Sequence, residues 1–321
     1  MKNNWLCIFL VSGLFVPGFV HARGTGDNVK DLTVLSIRGP AGVGMICLFE
    51  EPVQIEGFNV KTEALASVDL MAARLISGEA QAGILPPNMA AKIAASGRDL
   101  RVAAVTATGM LSLLSSDPGV RKIEDLKGKT VEVTGQGATS DYVFQRILHA
   151  HGLTPGVDIS LGYSMAYPEI AQSLIAGRIT AAILPEPFAT MAFMGKPDLV
   201  SVTDIQEEWM QTGGGNFPMT LLVVDGAFAD ANSGALNKII EAVRSSIEWV
   251  QSHPAQAGVL TEKHGLGLKA AIVAAAIPKS NYVFIPAAEA RPSLEALFRV
   301  FLEIDPASIG GGLPPDSFYL K

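Results

Sequence analysis

Two stretches of the chain, 75–90 and 174–189, read LISGEAQAGILPPNMA and LIAGRITAAILPEPFA. They align without gaps at an offset of 99 residues, and eight of their sixteen positions are identical. Each copy has the pattern of a helix end, a glycine, a strand, and a proline-containing loop that leads into another helix. Because this period is far too long for a solenoid of short repeats, the sequence predicts two related α/β halves.

The surroundings of each copy support the duplication. Gly78 and Gly177 are predicted to end helices, since glycine readily adopts the left-handed conformation that follows a last helical turn. A weaker similarity lies upstream, where LTVLSIRGPAG (32–42) and KTVEVTGQGAT (129–139) both read as a strand, a glycine-bearing turn and a helix. We therefore expect the same strand–helix layout in both halves.

Helices and strands alternate along most of the chain, which predicts parallel sheets with helices on their faces. From residue 235 onward we expect helices alone, with Pro254 and Pro292 in first turns and the glycines at 310–312 in a flexible polar tail. Strands are predicted at 32–37, 58–66, 80–85, 101–106, 110–116, 129–134, 158–162, 179–184 and 219–224. Helices are predicted at 41–51, 69–77, 88–96, 139–151, 167–176, 187–194, 235–252, 254–264, 268–277 and 292–304.

This layout predicts an α/β fold of two Rossmann-like lobes with a hinge. The chain would cross between the lobes near 110–116 and again near 212–219, and closure about a ligand is the motion that two such crossings permit. The segments we expect are a signal peptide at 1–22, the first part of lobe 1 at 23–112, lobe 2 at 113–214, and the return to lobe 1 with the C-terminal helices at 215–321.

The first residues, MKNNWLCIFLVSGLFVPGFVHA (1–22), have the layout of a secretory signal with a cut after Ala22. Its apolar run is short for a membrane span, so we expect a periplasmic protein. Removing this segment takes away one lysine and changes the formal charge from −7 to −8. A mildly acidic chain without a basic cluster argues against nucleic acid or an anionic membrane as a partner.

Cysteine usage excludes an internal disulfide in the mature chain. Cys7 lies within the signal, without the small residues expected before a lipidated cysteine, and Cys47 is then alone. Cys47 could be a reactive thiol, or a small buried apolar residue as most lone cysteines are.

In parallel α/β sheets, ligands bind beyond the carboxyl ends of the strands, where the loops of both lobes would face each other. That rule selects polar, aromatic and glycine residues in the loops after the predicted strands and at the return crossing. The candidate ligand-binding residues are Arg38, Gly39, Ser67, Asn88, Gly137, Ala138, Thr139, Ser140, Tyr163, Tyr167, Glu186 and Asn216.

The loop GQGATS (135–140) is one letter from a dinucleotide-binding fingerprint. The third glycine is missing, and no acidic residue ends the next predicted strand, so we expect no nucleotide cofactor. A second interpretation is an anion cradle: Thr139 or Ser140 would cap the following helix, whose free N–H groups would bind a carboxylate, sulfonate, nitrate or phosphate. A third is an ordinary tight turn.

The remaining candidates each have a structural alternative. Arg38 could meet an anion or simply face solvent, and Glu186 could bind a ligand or pair with a surface cation. Asn88 occupies nearly the place of Glu186 in the other repeat copy and could hydrogen-bond the ligand. Tyr163 and Tyr167 could stack on a flat ligand or belong to the core.

Enzyme signatures are missing from the places where we would expect them. The sequence has no GxSxG, HExxH, P-loop or paired CxxC motif. His149 and His151 are two residues apart on a predicted helix and point to different sides, so they would not share a metal; we expect them at a solvated helix end. We expect neither catalysis nor a cofactor.

Three motifs resemble the substrate-binding proteins of ABC importers in the sulfonate, nitrate and thiamine-precursor group. They are the I-x-D-L-K-G-K-x-V segment at 123–131, the helix start at 137–140, and the acidic-Pro pair Glu186-Pro187 after an A-G-x-x-x-A-A strand. The resemblance covers roughly 30–305. It implies the type II periplasmic-binding fold, a ligand between the lobes, and a permease with its ATPase as partners.

Two departures concern the first-lobe half of the expected pocket. Many relatives have Gly-Pro after the second strand, where this chain has Ser67-Val68, and a Thr-Gly-Asp-like loop after the third, where it has Leu85 to Asn88. The cysteine-rich segment of eukaryotic thiamine-pyrimidine synthases has no counterpart here.

We therefore interpret the chain as a monomeric periplasmic solute-binding component of an ABC importer. A sulfonate-like organic anion is the first expectation for its ligand. A thiamine-precursor pyrimidine or another flat heterocycle is the alternative, and an enzyme on the same fold is a further one.

Overall fold

The computed structural model describes residues 29–212 and 215–321. The predicted signal peptide at 1–22 lies outside the described residues, as do Gly213 and Gly214 at the second crossing. In the described part of the chain no helix is both long and apolar enough to cross a membrane.

The strands are β1 (Lys30–Ile37), β2 (Phe58–Leu65), β3 (Ala82–Leu85), β4 (Leu100–Thr108), β5 (Leu111–Ser115), β6 (Thr130–Glu132), β7 (Ser160–Gly162), β8 (Ala181–Pro185), β9 (Val200–Asp204), β10 (Pro218–Asp225) and β11 (Tyr282–Pro286). The helices are α1 (Pro40–Gly44), α2 (Ile46–Glu50), α3 (Val68–Ser77), α4 (Pro87–Ala95), α5 (Thr139–Ala150), α6 (Tyr167–Ile175), α7 (Phe188–Gly195), α8 (Ile205–Gln211), α9 (Gly226–Ala231), α10 (Ser233–Ser252), α11 (Pro254–Lys263), α12 (Ala270–Ala276) and α13 (Ala287–Ile304).

These strands form two sheets, each with helices on both faces, and the prediction of a two-lobed α/β fold is confirmed. Among the described residues the first sheet has the order β11-β4-β10-β3-β1-β2 and the second the order β7-β6-β8-β5-β9. We call the first sheet with its helices the first lobe, and the second sheet with its helices the second lobe.

Both sheets are mixed rather than parallel. β10 and β11 run antiparallel to β4, and β5 runs antiparallel to both β8 and β9. The antiparallel direction of β5 and β10 arises at the crossings. Each of these strands begins where the chain arrives from the other lobe, which is the end of the sheet where the parallel strands finish. The duplicated core of each lobe, β1-β2-β3 and β6-β7-β8, keeps the predicted parallel pairing.

Local signals explain the helix ends in the repeats. Ser67 caps α3 by accepting a hydrogen bond from the N–H of Leu70, and Gly78 ends the helix in the left-handed conformation with φ 80°. Gly177 lies one residue beyond the C-cap of α6 and also has a positive φ of 69°. Both glycines therefore provide the backbone reversal that the repeat predicts.

The C-terminal third differs from the prediction at three points. β11 interrupts the region expected to be helical, and its pairing with β4 supplies the first sheet with an edge strand. Pro292 lies inside α13, which begins five residues earlier at Ala287. The expected flexible tail is docked on the first lobe: Phe318 is 1% exposed, and the N–H of Leu320 donates to the carbonyl of Val102 at 2.8 Å.

Other elements were absent from the sequence-based prediction. β9, α8 and α9 are short, and nothing in their sequences sets them apart from loops. The predicted helix at 41–51 is divided into α1 and α2 at Met45. Cys47 is buried in the core between these helices and α10, where its N–H donates to the hydroxyl of Ser246.

The two crossings lie side by side. The first passes through Gly109 and Met110, which both have positive φ angles of 55° and 58°. The N–H of Gly109 donates to the carbonyl of Phe217 in the second crossing at 3.1 Å. The N–H of the preceding residue, Thr108, donates to the carbonyl of Asn281 at 3.2 Å. Three chain segments thus meet at the hinge.

Candidate functional site

The candidate residues follow the carboxyl ends of strands in both lobes, as the sequence predicts. Arg38 and Gly39 follow β1, Ser67 follows β2, and Asn88 lies at the start of α4 after β3. From the second lobe, the loop 135–140 follows β6. Tyr163 follows β7 and Glu186 follows β8. The strand ends of the two lobes face each other, and the space between them is the candidate cleft.

Asn88 of the first lobe contacts the glycine loop of the second. Its side-chain N–H donates to the carbonyl oxygen of Gly137 at 3.0 Å, and its side-chain oxygen accepts from the hydroxyl of Thr139 at 3.2 Å. Both hydrogen-bonding functions of the carboxamide are therefore used across the cleft. The two lobes are in contact at this point.

The lobes also approach each other at an apolar place. Gly39 has a φ of 110° that only glycine adopts easily, and a Cβ added to it would lie 3.8 Å from the ring of Phe188. Phe188 is stacked on Tyr167, with ring centroids 5.9 Å apart and an interplanar angle of 21°. The hydroxyl of Tyr167 donates to Ser140 Oγ at 3.2 Å. The second lobe thus presents an aromatic pair to the first.

The first turn of α5 carries a buried carboxylate of the protein itself. Asp141, in the first turn, is 1% exposed and accepts a hydrogen bond from the N–H of Gly137 at 2.8 Å. The expectation that Thr139 or Ser140 caps this helix is wrong, because the N-cap is Ala138 and no side chain caps it. A fixed negative charge in the first turn favours the helix dipole in the way a bound anion would.

Tyr163 hydrogen-bonds this carboxylate, so its ring is held in place and is not free to stack on a ligand. Its hydroxyl donates to Asp141 Oδ1 at 2.8 Å, and the side-chain amide of Gln145 donates to the same oxygen at 2.8 Å. Burial, with the hydrogen bond to Asp141, raises the pKa of Tyr163 above its usual value. Tyr163 and Asp141 therefore form one buried polar unit under the glycine loop.

Glu186 is buried at the end of β8. It is 5% exposed, and its Oε2 accepts the backbone N–H of Thr190 at 3.1 Å. Burial raises the pKa of this carboxyl above that of an exposed glutamate. The alternative of a surface ion pair is not what the structure shows, because no cation of the described residues lies within salt-bridge distance of Glu186.

Two first-lobe candidates have local explanations. Ser67 is the N-cap of α3, so its hydroxyl already serves the helix. The side chain of Arg38 is exposed, while its backbone N–H donates to Leu65 and continues the ladder between β1 and β2.

Asn216 is not brought together with the other candidates. It is exposed and lines a cavity of about 470 Å³ beside the crossings, together with residues of β11 and α8. Phe217, which follows it, is 1% exposed and packs edge-on against Trp209.

Sequence reasoning missed Asp141 and Phe188. Asp141 stands at the third position of the predicted helix, where acidic residues favour a helix start, and that position was the available signal. Phe188 directly follows the Glu186-Pro187 pair; its ring is 6% exposed and packs in the core, so nothing in the sequence separates it from an ordinary core residue. His149 is exposed as predicted, whereas His151 is held between Glu124 and Glu208.

In the ranges 29–212 and 215–321, no group of three or more His, Cys, Asp or Glu side chains could hold a metal ion. The groups described around the candidate cleft are hydrogen-bonding side chains, the buried carboxyls of Asp141 and Glu186, and the aromatic pair Tyr167–Phe188. Such an arrangement can bind and orient a small polar solute.

Solved structures with the same architecture define the class of this protein as the periplasmic-binding-protein fold. An ABC transporter protein from Parabacteroides distasonis has 25% sequence identity and a TM-score of 0.77, with 92% of this chain and 99% of that chain covered. The periplasmic aliphatic sulphonate binding protein SsuA from Escherichia coli has 16% identity and a TM-score of 0.72, with 91% and 94% covered. The alkanesulfonate-binding protein SsuA from Xanthomonas axonopodis pv. citri, bound to MOPS, has 14% identity and a TM-score of 0.69, with 90% and 95% covered.

The particular family follows from the sequence. The family model described as NMT1/THI5 like matches residues 54–257, and this chain belongs to that family. No curated protein matches the sequence. The resemblance to the sulfonate, nitrate and thiamine-precursor group is confirmed by this family and these neighbours.

Proposed function

We propose that this protein is the periplasmic solute-binding component of an ABC importer and holds one small solute between its two lobes. The observation that carries the proposal is the approach of the two lobes across the cleft, where Asn88 bonds to Gly137 and Thr139 and where Gly39 lies beside the ring of Phe188. The family and the transporter proteins among the solved neighbours support the same role. The role proposed is binding and release, without a catalytic step.

Closure is the proposed mechanism. A solute that touches both lobes has more contacts when they approach, so it shifts the population toward the closed arrangement. The permease, with its ATPase, would then recognise the outer rim of the closed protein. Export by the segment 1–22 would place the protein on the side of the membrane where the solute enters.

For the ligand, the contacts in the cleft favour a flat nitrogen heterocycle, such as a thiamine-precursor pyrimidine, over an organic anion. The first turn of α5, where an anion would bind, carries the buried carboxylate of Asp141, which would repel a sulfonate. Glu186, buried nearby in the loop before Phe188, accepts a hydrogen bond from an amino group when ionised and donates to a ring nitrogen when protonated. The Tyr167–Phe188 pair offers a planar surface for a ring.

An alkanesulfonate is the second candidate. Two of the solved neighbours are named for sulfonate binding, and Arg38 is an exposed cation at the end of β1 on the first-lobe side of the cleft. The two ligand classes make opposite demands on Glu186, because a carboxylate attracts an amino heterocycle and repels a sulfonate.

Thermal-shift measurements with aminopyrimidines and with alkanesulfonates test the proposal. We expect stabilisation by the heterocycles only. Phe188→Leu should weaken that binding about two- to tenfold, the value of an aromatic contact beyond its buried area, while Phe193→Leu on the same helix serves as the matched control. Glu186→Gln should weaken heterocycle binding as well. Stabilisation by sulfonates that Glu186→Gln strengthens would favour the second candidate, and stabilisation by neither class would overturn the ligand proposal.

A further inference from the structure

The cavity of about 470 Å³ beside the crossings, which we call the hinge cavity, has a different lining from the candidate cleft, although the hydroxyl of its lining residue Tyr282 donates to the carbonyl of Pro40, next to Gly39, at 2.8 Å. The cavity lies at the end of β4 and the start of β11, the edge strand on one side of the first sheet. The cleft residues follow β1, β2 and β3, toward the opposite edge of that sheet. Residues at both crossings, Thr108 and Asn216, line the hinge cavity.

The lining of the hinge cavity is polar but uncharged. Thr108, Gln206, Asn216, Gln251 and Asn281 contribute a hydroxyl and four carboxamides, and none of the nine described residues that line it is charged. The rest of its surface is apolar, formed by Ile277, Pro278, Tyr282 and Val283. Its volume is in the range of ordinary small-molecule sites, roughly 300–1,000 Å³.

Two of these carboxamides are held in place by the protein. The side chain of Gln206 donates to the carbonyl of Gly215 at 3.2 Å and accepts from the N–H of Phe217 at 3.1 Å. The side chain of Gln251 donates to the carbonyl of Tyr282 at 2.6 Å, which leaves its oxygen as an acceptor. For the side chains of Asn216 and Asn281, no hydrogen bond to a described residue is found, so they can serve a ligand.

This chemistry fits a neutral polyhydroxylated compound. Each hydroxyl of a sugar both donates and accepts, which matches the paired functions of a carboxamide, and the C–H face of a sugar ring packs on apolar surface. A charged solute would lose its hydration without gaining an ion pair, and that loss is costly.

The position of the hinge cavity couples it to the cleft. Gln206 belongs to the second lobe, while Tyr282 and Asn281 belong to the first, so a rotation about the crossings must change the shape of the cavity. The cavity is present in the arrangement in which Asn88 touches Gly137. We propose that the hinge cavity binds a neutral polyol or small sugar, and that its occupancy stabilises the arrangement in which the lobes touch across the cleft.

Saturation-transfer NMR with trehalose and sucrose tests the binding step. At low millimolar concentration we expect a saturable signal from these sugars and none from glutamate. Working at low concentration matters because sugars at high concentration stabilise any folded protein by exclusion from its surface. Asn216→Leu and Asn281→Gly should each reduce affinity about tenfold, the value of roughly one to two well-made hydrogen bonds. Glycine suits position 281 because φ is 45° there.

The control is Gln256→Leu, an exposed carboxamide on α11 away from the cavity, which should bind sugar normally. A lack of saturable binding would overturn the proposal, and so would binding that Asn216→Leu and Asn281→Gly leave unchanged.

The coupling step is tested by electron paramagnetic resonance, which measures the distance between two spin labels. The labels are attached at Asp69→Cys in the first lobe and at Ser164→Cys in the second, both exposed positions. Trehalose should increase the shorter-distance population, and Asn216→Leu should require about tenfold more trehalose for the same increase. Equal populations with and without sugar, despite binding, would refute the coupling. Neither experiment uses the cleft solute, so an error in the proposed function would not affect these results.

Discussion

Asn88 and Gly137 are joined by a hydrogen bond of 3.0 Å that passes from the first lobe to the second. The same carboxamide accepts from the hydroxyl of Thr139, in the first turn of α5. A single side chain therefore links the loop after β3 in the first lobe to the loop after β6 in the second.

Replacing this side chain should favour the open protein. Asn88→Ala removes two hydrogen bonds of about 0.5–1.5 kcal/mol each, which corresponds to a ratio of contacting to separated lobes that is about 5- to 150-fold lower. Spin-label distances between positions 69 and 164 measure that ratio. Asn59→Ala removes an exposed hydrogen bond to Asp31 within the first sheet and should leave the distances unchanged. Equal distance distributions for Asn88→Ala and the wild type would contradict the assignment of Asn88 as a closing contact.

The carboxylate of Asp141 should be required for stability. Asp141→Asn replaces one acceptor by a donor that would face Gly137, Tyr163 or Gln145, all of which donate to this side chain. We expect a loss of about 1–3 kcal/mol in the free energy of unfolding, measured by urea denaturation. Asp69 is an exposed acid in the first turn of α3, and Asp69→Asn should lower the free energy of unfolding by only a few tenths of a kcal/mol. Unchanged stability of Asp141→Asn would show that the helix start does not depend on this charge.

His151 should make stability depend on pH. Its two ring nitrogens lie 2.8 Å from Glu124 and 2.9 Å from Glu208, so both can donate only when the ring is protonated. Burial lowers the pKa of His151, but the bonds to the two carboxylates outweigh it and raise the pKa overall. The bond to His151 lowers the pKa of Glu124.

The raised pKa of His151 and the lowered pKa of Glu124 determine at which pH each residue stabilises the fold. The contribution of His151 is complete below its unfolded pKa of about 6.5 and is lost as pH rises through the higher folded value, whereas that of Glu124 is lost at acid pH. His151→Gln should therefore lower the free energy of unfolding by about 1 kcal/mol near pH 5.5 and by much less near pH 8.5. Urea denaturation at both pH values measures this, with the exposed His149→Gln as control. A pH-independent cost would rule out the charged bridge.

Close packing between α11 and α12 should make Gly258 irreplaceable. A Cβ at Gly258 would collide with the backbone carbonyl oxygen of Ala270, which cannot move aside as a flexible side chain could. Gly258→Ala is expected to lower the free energy of unfolding by about 1–3 kcal/mol. Gly234→Ala in α10 meets open space and should be neutral or slightly stabilising. Thermal unfolding of the two variants gives the comparison; equal melting temperatures would contradict the packing described.

The fold was largely predictable because residues within the repeat mark where its helices and strands end. Gly78 and Gly177 mark the helix ends, and the apolar runs of β3 and β8 are buried on both faces, which gives short and unmistakable strands. β11 was not predictable in the same way. Tyr282 to Pro286 lie between helices, and their strand conformation depends on pairing with β4, a partner distant in sequence.

The candidate site was predictable in its location and less so in its chemistry. Asn88 and Gly39 follow first-lobe strands and lie against second-lobe residues, as the strand-end rule leads one to expect. The role of Asp141 depends on the path of the loop that starts at Gly135, because only that path brings the N–H of Gly137 back to the carboxylate. Asn216 lines the hinge cavity with Thr108 and Asn281 instead, although the second crossing leads into β10, the neighbour of β3.

A crystal structure of the protein with its bound solute would test the central claim most directly. The account predicts that the solute contacts both lobes, with Gly39 or Asn88 on one side and Phe188 or Glu186 on the other. A solute bound to one lobe alone, or bound only in the hinge cavity, would contradict it.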